Sequence, residues 1–296
     1  MENPCGVKTI EELAQLLGID KNNLVLLANN ADKYYWIKRE TVKGKKRIFH
    51  VAAGDLKKVQ KSILNKLLRT IPLPERMMGC RKGGSTKKNA EIHTGNKGFI
   101  MNLDIEDFFP SISSKRVRRF FISIGLSSKV SILLSKLLTR WGRLRLGTCT
   151  SSYIAQLIIK PMDKRFKRLC DQQSFRHSFF NDDITVNGSR KIESFKRLFC
   201  EIIEQEGFKD NRDKRKISSR DSRQEVNKLV INSGKPNIFR EKRRLLRAKI
   251  HNFKKLNPIE LGQEKFKKIH DSLLGEIRYV RSINKATGDK LLKMLE

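Results

Sequence analysis

Two short acidic segments, far apart along the chain, most constrain how it can fold. In the first, NLDIEDFFPSI, an apolar run over residues 99–103 predicts a strand that leads into Asp104. In the second, FFNDDITV, short β-forming runs flank Asp182 and Asp183, which predicts a hairpin with the acid pair at its turn. Because a sheet can unite distant segments, we expect the three carboxylates to lie side by side in one.

Such a cluster of carboxylates suits one kind of chemistry. Two strand-borne acid clusters could hold two divalent ions, which together activate a 3′-hydroxyl and stabilise departing pyrophosphate in an in-line phosphoryl transfer. Mg²⁺ fits this role because it takes carboxylate oxygens and keeps sites for water and phosphate. The alternative is that an Asp-Asp pair at a turn is only turn chemistry, since Asp is favoured in turns. Features elsewhere in the chain are needed to choose between a metal site and an ordinary turn.

An excess of positive charge extends along the whole chain. Lys and Arg number 64 against 31 Asp and Glu, which gives a net charge of +33, and the excess is spread from Lys38 to Lys293. Basic stretches are usually solvated, but a chain this basic repels itself unless a polyanion balances it. Neutralising about 6 to 10 phosphates would make affinity fall roughly a thousandfold or more between low and near-physiological salt. The composition therefore predicts a nucleic-acid partner.

The sequence gives little support for a membrane protein or for a protein stabilised by disulfide bonds. The opening Met1-Glu2-Asn3-Pro4 has no basic and then apolar leader, and no run of about twenty uncharged apolar residues follows, which predicts a cytoplasmic protein without a membrane partner. The cysteines, at positions 5, 80, 149, 170 and 200, are odd in number and form no close pairs. This spacing argues against a zinc site or a disulfide framework, so we expect reduced thiols.

Local patterns predict an α+β architecture with a small antiparallel sheet and helices on one face. Thr9-Ile10-Glu11-Glu12 has the form of a capping box before an apolar run that ends at Gly18. Alternating residues over 34–51, around Lys43-Gly44, predict a hairpin. Further helices are predicted over residues 21–29, 55–69, 114–124, 129–140, 152–170 and 192–206, with a basic helical region from Phe239 onwards.

Seven blocks of the sequence, in order, resemble the reverse transcriptases of bacterial retrons. The stretch Asn89-Ala90-Glu91-Ile92-His93 resembles an Asn-Ala-x-x-His element that separates retron enzymes from most other reverse transcriptases. The resemblance implies a right-hand polymerase fold with N-terminal helices and fingers over 1–98, a palm with interleaved fingers helices over 99–238, and a basic helical thumb over 239–296. The blocks are KKRIFHVAAGDLKKVQ, GCRKGGSTKKNAEIHTG, NLDIEDFFPSIS, GTCTSSYIAQL, FNDD, EGFKDNRDKRKIS and REKRRLLRAKIHN.

The resemblance also implies roles for matching residues. Asp104, Asp182 and Asp183 would be catalytic and would bind two Mg²⁺ ions. Phe109 would screen the sugar 2′ position, with a core aromatic beside Phe108 as the alternative. The nucleotide would be bound by Arg47, which grips the triphosphate, by Phe109, by Gly147, Thr150 and Ser151 of the pocket loop, and by Lys214, which protonates pyrophosphate unless it is only a solvated charge. RNA would be bound by Asn89, His93, Asn227, Lys228, Arg243, Arg244 and Arg247.

Three departures from the family pattern bear on these roles. The usual Tyr-Ala-Asp-Asp is FNDD, so the tyrosine hydroxyl is missing while both acids remain. The prolines of the pocket loop are replaced by Cys149 and Ser152, and its following Asn is replaced by Gln156. The Val-Thr-Gly element implicated in RNA recognition is Val226-Asn227-Lys228. RNA specificity is therefore the role that transfers least.

The function that the resemblance implies is that of a retron reverse transcriptase. Such an enzyme copies part of a cognate structured noncoding RNA into single-stranded DNA from deoxynucleoside triphosphates. It is primed from an RNA 2′-hydroxyl and acts with a separate effector protein in defence against phage. One alternative is another bacterial reverse transcriptase class, such as a group II intron or defence-associated enzyme. The other is an RNA-binding scaffold with weakened polymerase activity, which the three retained acids argue against.

Overall fold

The N-terminal elements begin and end at the local signals that predict them. The computed structural model describes residues 6–42, 44–95 and 98–296. Thr9 and Glu12 form the predicted capping box, and Gly18 ends the first helix in the left-handed conformation, with φ 72°. The predicted hairpin is confirmed, although Lys43 at its turn lies outside the described residues. These elements are α1 (Ile10–Leu17), α2 (Lys21–Asn29), β1 (Tyr35–Val42), β2 (Lys45–Ala52) and α3 (Gly54–Lys66).

The middle of the chain alternates helices and strands, with two corrections to the predicted helices. The helix predicted over 152–170 is two helices that break at Ile159, because Pro161 has no N–H to continue the ladder and instead opens the second helix. The helix predicted over 192–206 begins only at Lys196, after a 3₁₀ turn. The elements are α4 (Thr86–Glu91), β3 (Phe99–Asp104), α5 (Phe108–Ser111), α6 (Ser114–Ser123), α7 (Ser128–Leu138), α8 (Ser151–Ile158), α9 (Lys160–Gln173), β4 (Arg176–Phe180), β5 (Asp183–Gly188) and α10 (Lys196–Gln205).

A four-stranded antiparallel sheet lies at the centre, in the order β4-β5-β3-β6, where β6 is Lys216–Ser218. Strands from distant segments thus meet in one small sheet, which confirms the α+β prediction. Buried aromatic rings from the helices α9 and α10 pack beside β4, with the rings of Phe166 and Phe179 5.3 Å apart and those of Phe166 and Phe199 5.0 Å apart. This packing anchors the hairpin β4–β5 to the main hydrophobic core.

The C-terminal helices pack around a second hydrophobic core. It also includes Ala90, Ile100 and the residues Val226 and Leu229 of a short hairpin, all of which precede residue 239, the predicted start of the thumb. Phe253 and Phe266 stack within it, their ring centroids 4.6 Å apart, which favours core packing over base stacking for these rings. The elements are β7 (Glu225–Val226), β8 (Leu229–Val230), α11 (Arg240–Lys254), α12 (Pro258–Leu261), α13 (Gln263–Ile283) and α14 (Lys285–Leu295).

Two absences concern the described part of the chain alone. Within it, no helix combines the length and the apolar composition needed to cross a bilayer. Cys80, Cys149, Cys170 and Cys200 are all free thiols. Burial raises the pKa of the Cys80 and Cys170 thiols to about 12, so both stay protonated at neutral pH.

Candidate active site

The sheet brings the three acids of the two sequence motifs to one end. Asp104, the last residue of β3, lies directly opposite Asp183, the first residue of β5, in antiparallel register. Asp182 occupies the preceding turn, and its carbonyl accepts a hydrogen bond from the Ile105 N–H at 3.1 Å. Like charges placed directly across a pair of strands repel each other, so this register costs stability unless a cation offsets it. Such a cost is typical of a functional arrangement.

The turn that carries the acid pair is held by residues from three segments of the chain. Asn181 adopts the left-handed conformation, φ 57°, which Asn tolerates better than most residues. Gly79 packs on it so closely that a Cβ there would lie 2.6 Å from the Asn181 nitrogen. The amide of Gln156 donates to the Asn181 carbonyl at 3.1 Å. Glycine at 79 and the long amide at 156 therefore brace the acid pair.

Burial and mutual repulsion disturb the ionisation of the acid pair. Burial, followed by the charges of Asp182 and Asp104, raises the pKa of Asp183 to about 6. Burial raises the pKa of Asp182 as well, and the charge of Asp104 adds to that rise. Asp183 lies at the open edge of the hairpin, so solvent screens part of the repulsion. Neighbouring carboxylates nevertheless raise the pKa of both Asp182 and Asp183, which widely separated surface acids would not do.

Asp104 is the most enclosed of the three acids, only 4% exposed, and it has two partners. The Lys214 ammonium donates to its two carboxylate oxygens at 2.8 and 2.7 Å, and the Asn211 amide donates to Oδ2 at 3.2 Å. Burial works to lower the pKa of Lys214, but the hydrogen bond to Asp104 and the three nearby carboxylates outweigh it and raise that pKa. Lys214 is therefore held at the acid cluster and is not simply a solvated charge.

The donor set at this end of the sheet fits a hard divalent cation. It consists of carboxylate oxygens alone, on adjacent backbone segments, and their repulsion is the kind that a bound cation relieves. Throughout the described ranges, no three His, Cys, Asp or Glu side chains are already gathered as a formed metal site. Both oxygens of Asp104 instead contact Lys214. Asp104, Asp182 and Asp183 are the residues that could hold metal here.

The two adjacent phenylalanines after Asp104 differ in their surroundings. Phe108 is 3% exposed and packs against Phe208, with ring centroids 5.9 Å apart. Phe109 is only partly buried at the margin of the same core and stacks on Phe108 at 5.3 Å. The role of a core aromatic, which was the alternative for Phe109, therefore belongs to Phe108. Phe109 is partly exposed, and its role in screening the sugar stays a prediction.

The residues predicted to bind the nucleotide divide into two groups. Arg47 is exposed on β2, and its charge works to lower the pKa of Asp182, so it lies within electrostatic range of the acid pair. Gly147, at φ 108°, packs against that hairpin, where a Cβ would lie 3.0 Å from the His50 carbonyl oxygen. Thr150 and Ser151 are buried, 0% and 1% exposed. Their hydroxyls lie near that of Thr148, at 3.4 and 2.6 Å.

The two buried hydroxyls contact Thr148 within the loop, and the nucleotide-binding role of Thr150 and Ser151 stays a prediction.

The residues predicted to bind RNA also divide by exposure. Asn89 and His93 are 1% and 0% exposed, so their side chains lie in the interior, and the RNA-binding role expected of both stays a prediction. Asn227 and Lys228 form the two-residue turn between β7 and β8, at φ 46° and 63°. The Lys228 charge works to lower the pKa of Asp183, which places this turn beside the acids. On α11, Arg243 is half-buried, whereas Arg244 and Arg247 are exposed.

His93, which follows the end of α4, contacts both strands of the acid-bearing hairpin. Its Nδ1 lies 2.6 Å from Asn187 Oδ1 on β5, and its Nε2 lies 2.7 Å from Ser178 Oγ on β4. Burial lowers the pKa of His93 to about 4, so the ring is neutral at physiological pH. A neutral ring that donates from Nδ1 and accepts at Nε2 satisfies both partners. The His of the Asn-Ala-x-x-His element therefore supports both strands of the acid-bearing hairpin.

Acidification is expected to destabilise the wild type more than a His93→Gln variant. The pKa of His93 is about 4 in the fold and 6.5 in an unfolded chain, so its contribution is complete above pH 6.5 and is lost as pH falls towards 4. Each pKa unit is worth about 1.4 kcal/mol, so we expect the difference in unfolding free energy between the two proteins to shrink by about 2–3 kcal/mol. Urea unfolding at pH 7.5 and 4.5 measures it, and a pH-independent difference would contradict it.

A small antiparallel palm sheet with acids at one end, between a basic fingers hairpin and a helical C-terminal region, defines the right-hand class of nucleotide polymerases. A family profile described as "Reverse transcriptase (RNA-dependent DNA polymerase)" matches residues 33–270. The chain belongs to this reverse transcriptase family. It is thus an RNA-directed DNA polymerase, and the family works on RNA templates with deoxynucleoside triphosphates and divalent metal ions.

Several curated relatives are retron enzymes. The chain is 29% identical to the retron Ec86 reverse transcriptase of Escherichia coli over 250 residues, which cover 83% of this chain and 78% of that one. It is 28% identical to the retron Se72 reverse transcriptase of Salmonella heidelberg over 286 residues, covering 93% and 75%. For the retron Mx65 reverse transcriptase of Myxococcus xanthus the identity is 26%, covering 83% and 60%. These relatives confirm the retron-type resemblance.

Among solved structures, a telomerase from Candida albicans in complex with a fragment of telomeric RNA aligns with a TM-score of 0.48 and 12% identity. The alignment covers 87% of this chain and 54% of the telomerase chain. An apo telomerase from Candida tropicalis aligns at the same TM-score with 10% identity, covering 75% and 61%. Likenesses this distant say nothing of what this chain binds.

Proposed function

We propose that this protein is a retron reverse transcriptase that copies part of a cognate structured noncoding RNA into single-stranded DNA by two-metal nucleotidyl transfer. The observation that carries the proposal is the register that opposes Asp104 to Asp183, with Asp182 in the adjoining turn. Clustered acids of this kind cost stability and serve a purpose in a phosphoryl-transfer site. The net charge of +33 supports an RNA partner.

In the proposed reaction, Asp104, Asp182 and Asp183 hold two Mg²⁺ ions. When bound, these ions activate the attacking hydroxyl and neutralise charge on the departing pyrophosphate. Arg47 on the exposed fingers strand offers a planar fork of donors to the triphosphate. Lys214, protonated beside the acids, can give a proton to pyrophosphate once its contact with Asp104 is released.

Three finer parts of the proposal come from the family resemblance. Synthesis starts from an RNA 2′-hydroxyl, the DNA stays joined to its template RNA, and a separate effector protein acts with the complex in defence against phage. The basic, exposed Arg244 and Arg247 on α11 and Lys228 at the β7–β8 turn are the residues we assign to RNA contact. Phosphate contacts of this type position an RNA without reading its sequence.

The test is to express the chain with the RNA encoded beside its gene and to purify the complex. Wild type is expected to carry a discrete product that resists RNase and is destroyed by DNase, and Asp104→Asn is expected to carry none. Glu106→Gln is the matched control, because Glu106 is a neighbouring acid whose carboxylate pairs with Lys209 at the surface. This control should retain the product.

Each part of the proposal has its own readout. If wild type copurifies with RNA but makes no DNA when Mg²⁺ and all four deoxynucleotides are supplied, the protein is an RNA-binding scaffold and the polymerase proposal fails. Sensitivity of the product's RNA–DNA junction to a 2′,5′-debranching enzyme tests 2′-hydroxyl priming. Plating of phage on cells with and without the neighbouring genes tests the role in defence.

A further inference from the structure

We propose that Asn89 is a positioning residue that orients the carboxylate of Asp183 through the side chain of Asn227. The inference rests on the proposed function in one respect, the role of Asp183 in catalysis. The Asn89 Nδ2 donates to Asn227 Oδ1 at 2.6 Å, and the Asn227 Nδ2 donates to Asp183 Oδ2 at 3.3 Å. Two amides thus connect α4 to the acid through the β7–β8 turn.

The direction of this chain of hydrogen bonds is dictated by chemistry. An ionised carboxylate only accepts hydrogen bonds, so Asn227 must present its NH₂ group to Asp183. Its carbonyl oxygen then points to Asn89, which must act as the donor. An acceptor at position 89 would favour the reversed amide of Asn227, with its oxygen against the carboxylate. The donor at position 89 therefore determines that the NH₂ group of the Asn227 amide, and not its oxygen, faces Asp183.

Asn89, the first residue of this chain of hydrogen bonds, lies inside the protein. Asn89 is 1% exposed, and its neighbour Ala90, at 0%, belongs to the second hydrophobic core. On the same segment, His93 contacts both Ser178 and Asn187 of the acid-bearing hairpin. A donor on the buried face of a helix whose following segment contacts the hairpin can hold a carboxylate with little motion.

The middle of the chain is equally constrained. Asn227 and Lys228 both adopt the left-handed conformation in a two-residue hairpin turn, which carries the Asn227 side chain towards the acids. Val226 and Leu229 on either side are 0% exposed and anchor the turn in the second core. The two segments first expected to recognise RNA thereby meet each other and end at a catalytic acid. Positioning explains the burial of Asn89, which RNA contact does not.

The test is a double-mutant cycle with Asn89→Ala and Asn227→Gly. Glycine keeps the left-handed turn without strain, so Asn227→Gly removes only the amide. Outer-sphere partners of metal-binding side chains are typically worth about 10–100-fold in metal affinity or activity. We expect each single variant to lower kcat for one deoxynucleotide on a preformed primer–template about tenfold, with KM for the nucleotide nearly unchanged. The double variant should be no slower than Asn227→Gly, since both changes break one chain.

A second readout does not depend on catalysis. Mn²⁺ bound to the free protein, titrated by electron paramagnetic resonance, should bind about tenfold more weakly in both single variants. Ser85→Ala is the matched control, because it removes the cap of α4, where Ser85 Oγ accepts from the Lys88 N–H at 3.1 Å, and leaves the amide chain intact. It should lower the melting temperature without changing kcat or Mn²⁺ affinity.

The outcomes separate the inference from the proposed function. Multiplicative effects in the double variant, a wild-type kcat in Asn89→Ala, or a loss confined to RNA affinity would overturn the positioning role. If wild type makes no DNA at all, the proposed function fails, while the Mn²⁺ titrations still decide the positioning role. Equal Mn²⁺ affinity in Asn89→Ala, Ser85→Ala and wild type would then reject it.

Discussion

Replacing Asp182 by Asn is expected to slow deoxynucleotide incorporation by about a thousandfold or more while leaving the fold at least as stable. Loss of about 4 kcal/mol of electrostatic stabilisation in the transition state corresponds to that factor. Stability is retained because burial and the charge of Asp104 already raise the pKa of Asp182, so the ionised carboxylate is an unfavourable group in the fold. Single-turnover incorporation and thermal unfolding of the same preparation measure the two effects.

The sign of the stability change follows from that raised pKa. An acid whose pKa is higher in the fold destabilises the protein once the pH rises above its unfolded value, near 3.8. The gain in the free energy of unfolding of Asp182→Asn should therefore be largest at neutral pH. It should vanish below about pH 4, where the carboxyl is protonated in both the folded and the unfolded state. Because the turn is partly solvated, we expect a gain of about 1 kcal/mol or less.

The matched control for this prediction is Asp213→Asn. Asp213 is an exposed acid in the 3₁₀ turn that also carries Lys214, so its replacement makes the same change of charge near the acid cluster. This variant should incorporate nucleotides at the wild-type rate. An active Asp182→Asn protein, or an equally inactive Asp213→Asn protein, would show that the acid cluster does not act as we propose.

Replacing Phe109 by Val is expected to weaken discrimination against ribonucleotides by about 30-fold. A steric contact in a substrate pocket is typically worth about 1–3 kcal/mol, and about 2 kcal/mol corresponds to that factor. The ring of Phe109 is only partly buried at the margin of the core, so its shortening is expected to widen the proposed sugar site without emptying the core. The measurement is the ratio of kcat/KM for a deoxynucleotide and its ribonucleotide on the same template.

Phe108→Val separates selectivity from packing. Phe108 is 3% exposed against Phe208, so its truncation is expected to cost about 2–4 kcal/mol of stability. The Phe108→Val protein should discriminate between deoxynucleotides and ribonucleotides as well as the wild type does. If Phe108→Val relaxes discrimination and Phe109→Val only destabilises the protein, the two rings have the opposite roles.

Much of the fold was predictable because its signals are local. The capping box of Thr9 and Glu12, the alternation of the first hairpin and the acid-bearing turn each depend on residues a few positions apart. The helix break at Ile159 was missed although Pro161 signals it, because the apolar spacing runs on through the proline. The late start of α10 at Lys196 carried no such local signal.

The candidate site was predictable only in part. Its acids were identified from the sequence because carboxylates flanked by β-forming runs make a local pattern. Their partners Asn211 and Asn227, and the bracing residue Gly79, were not assigned to the acids, because each comes from a distant segment.

By itself, the sequence determined the kinds of element, the acids and the charge that favours a polyanion, since these follow from residue types and short-range spacing. The tertiary structure decided which side chains face the acids and which lie inside. It placed Lys214 on Asp104, buried Asn89 and His93, and left Phe109 at the edge of the core. Burial and hydrogen-bond partners depend on which distant segments pack together, and no local pattern reports that packing.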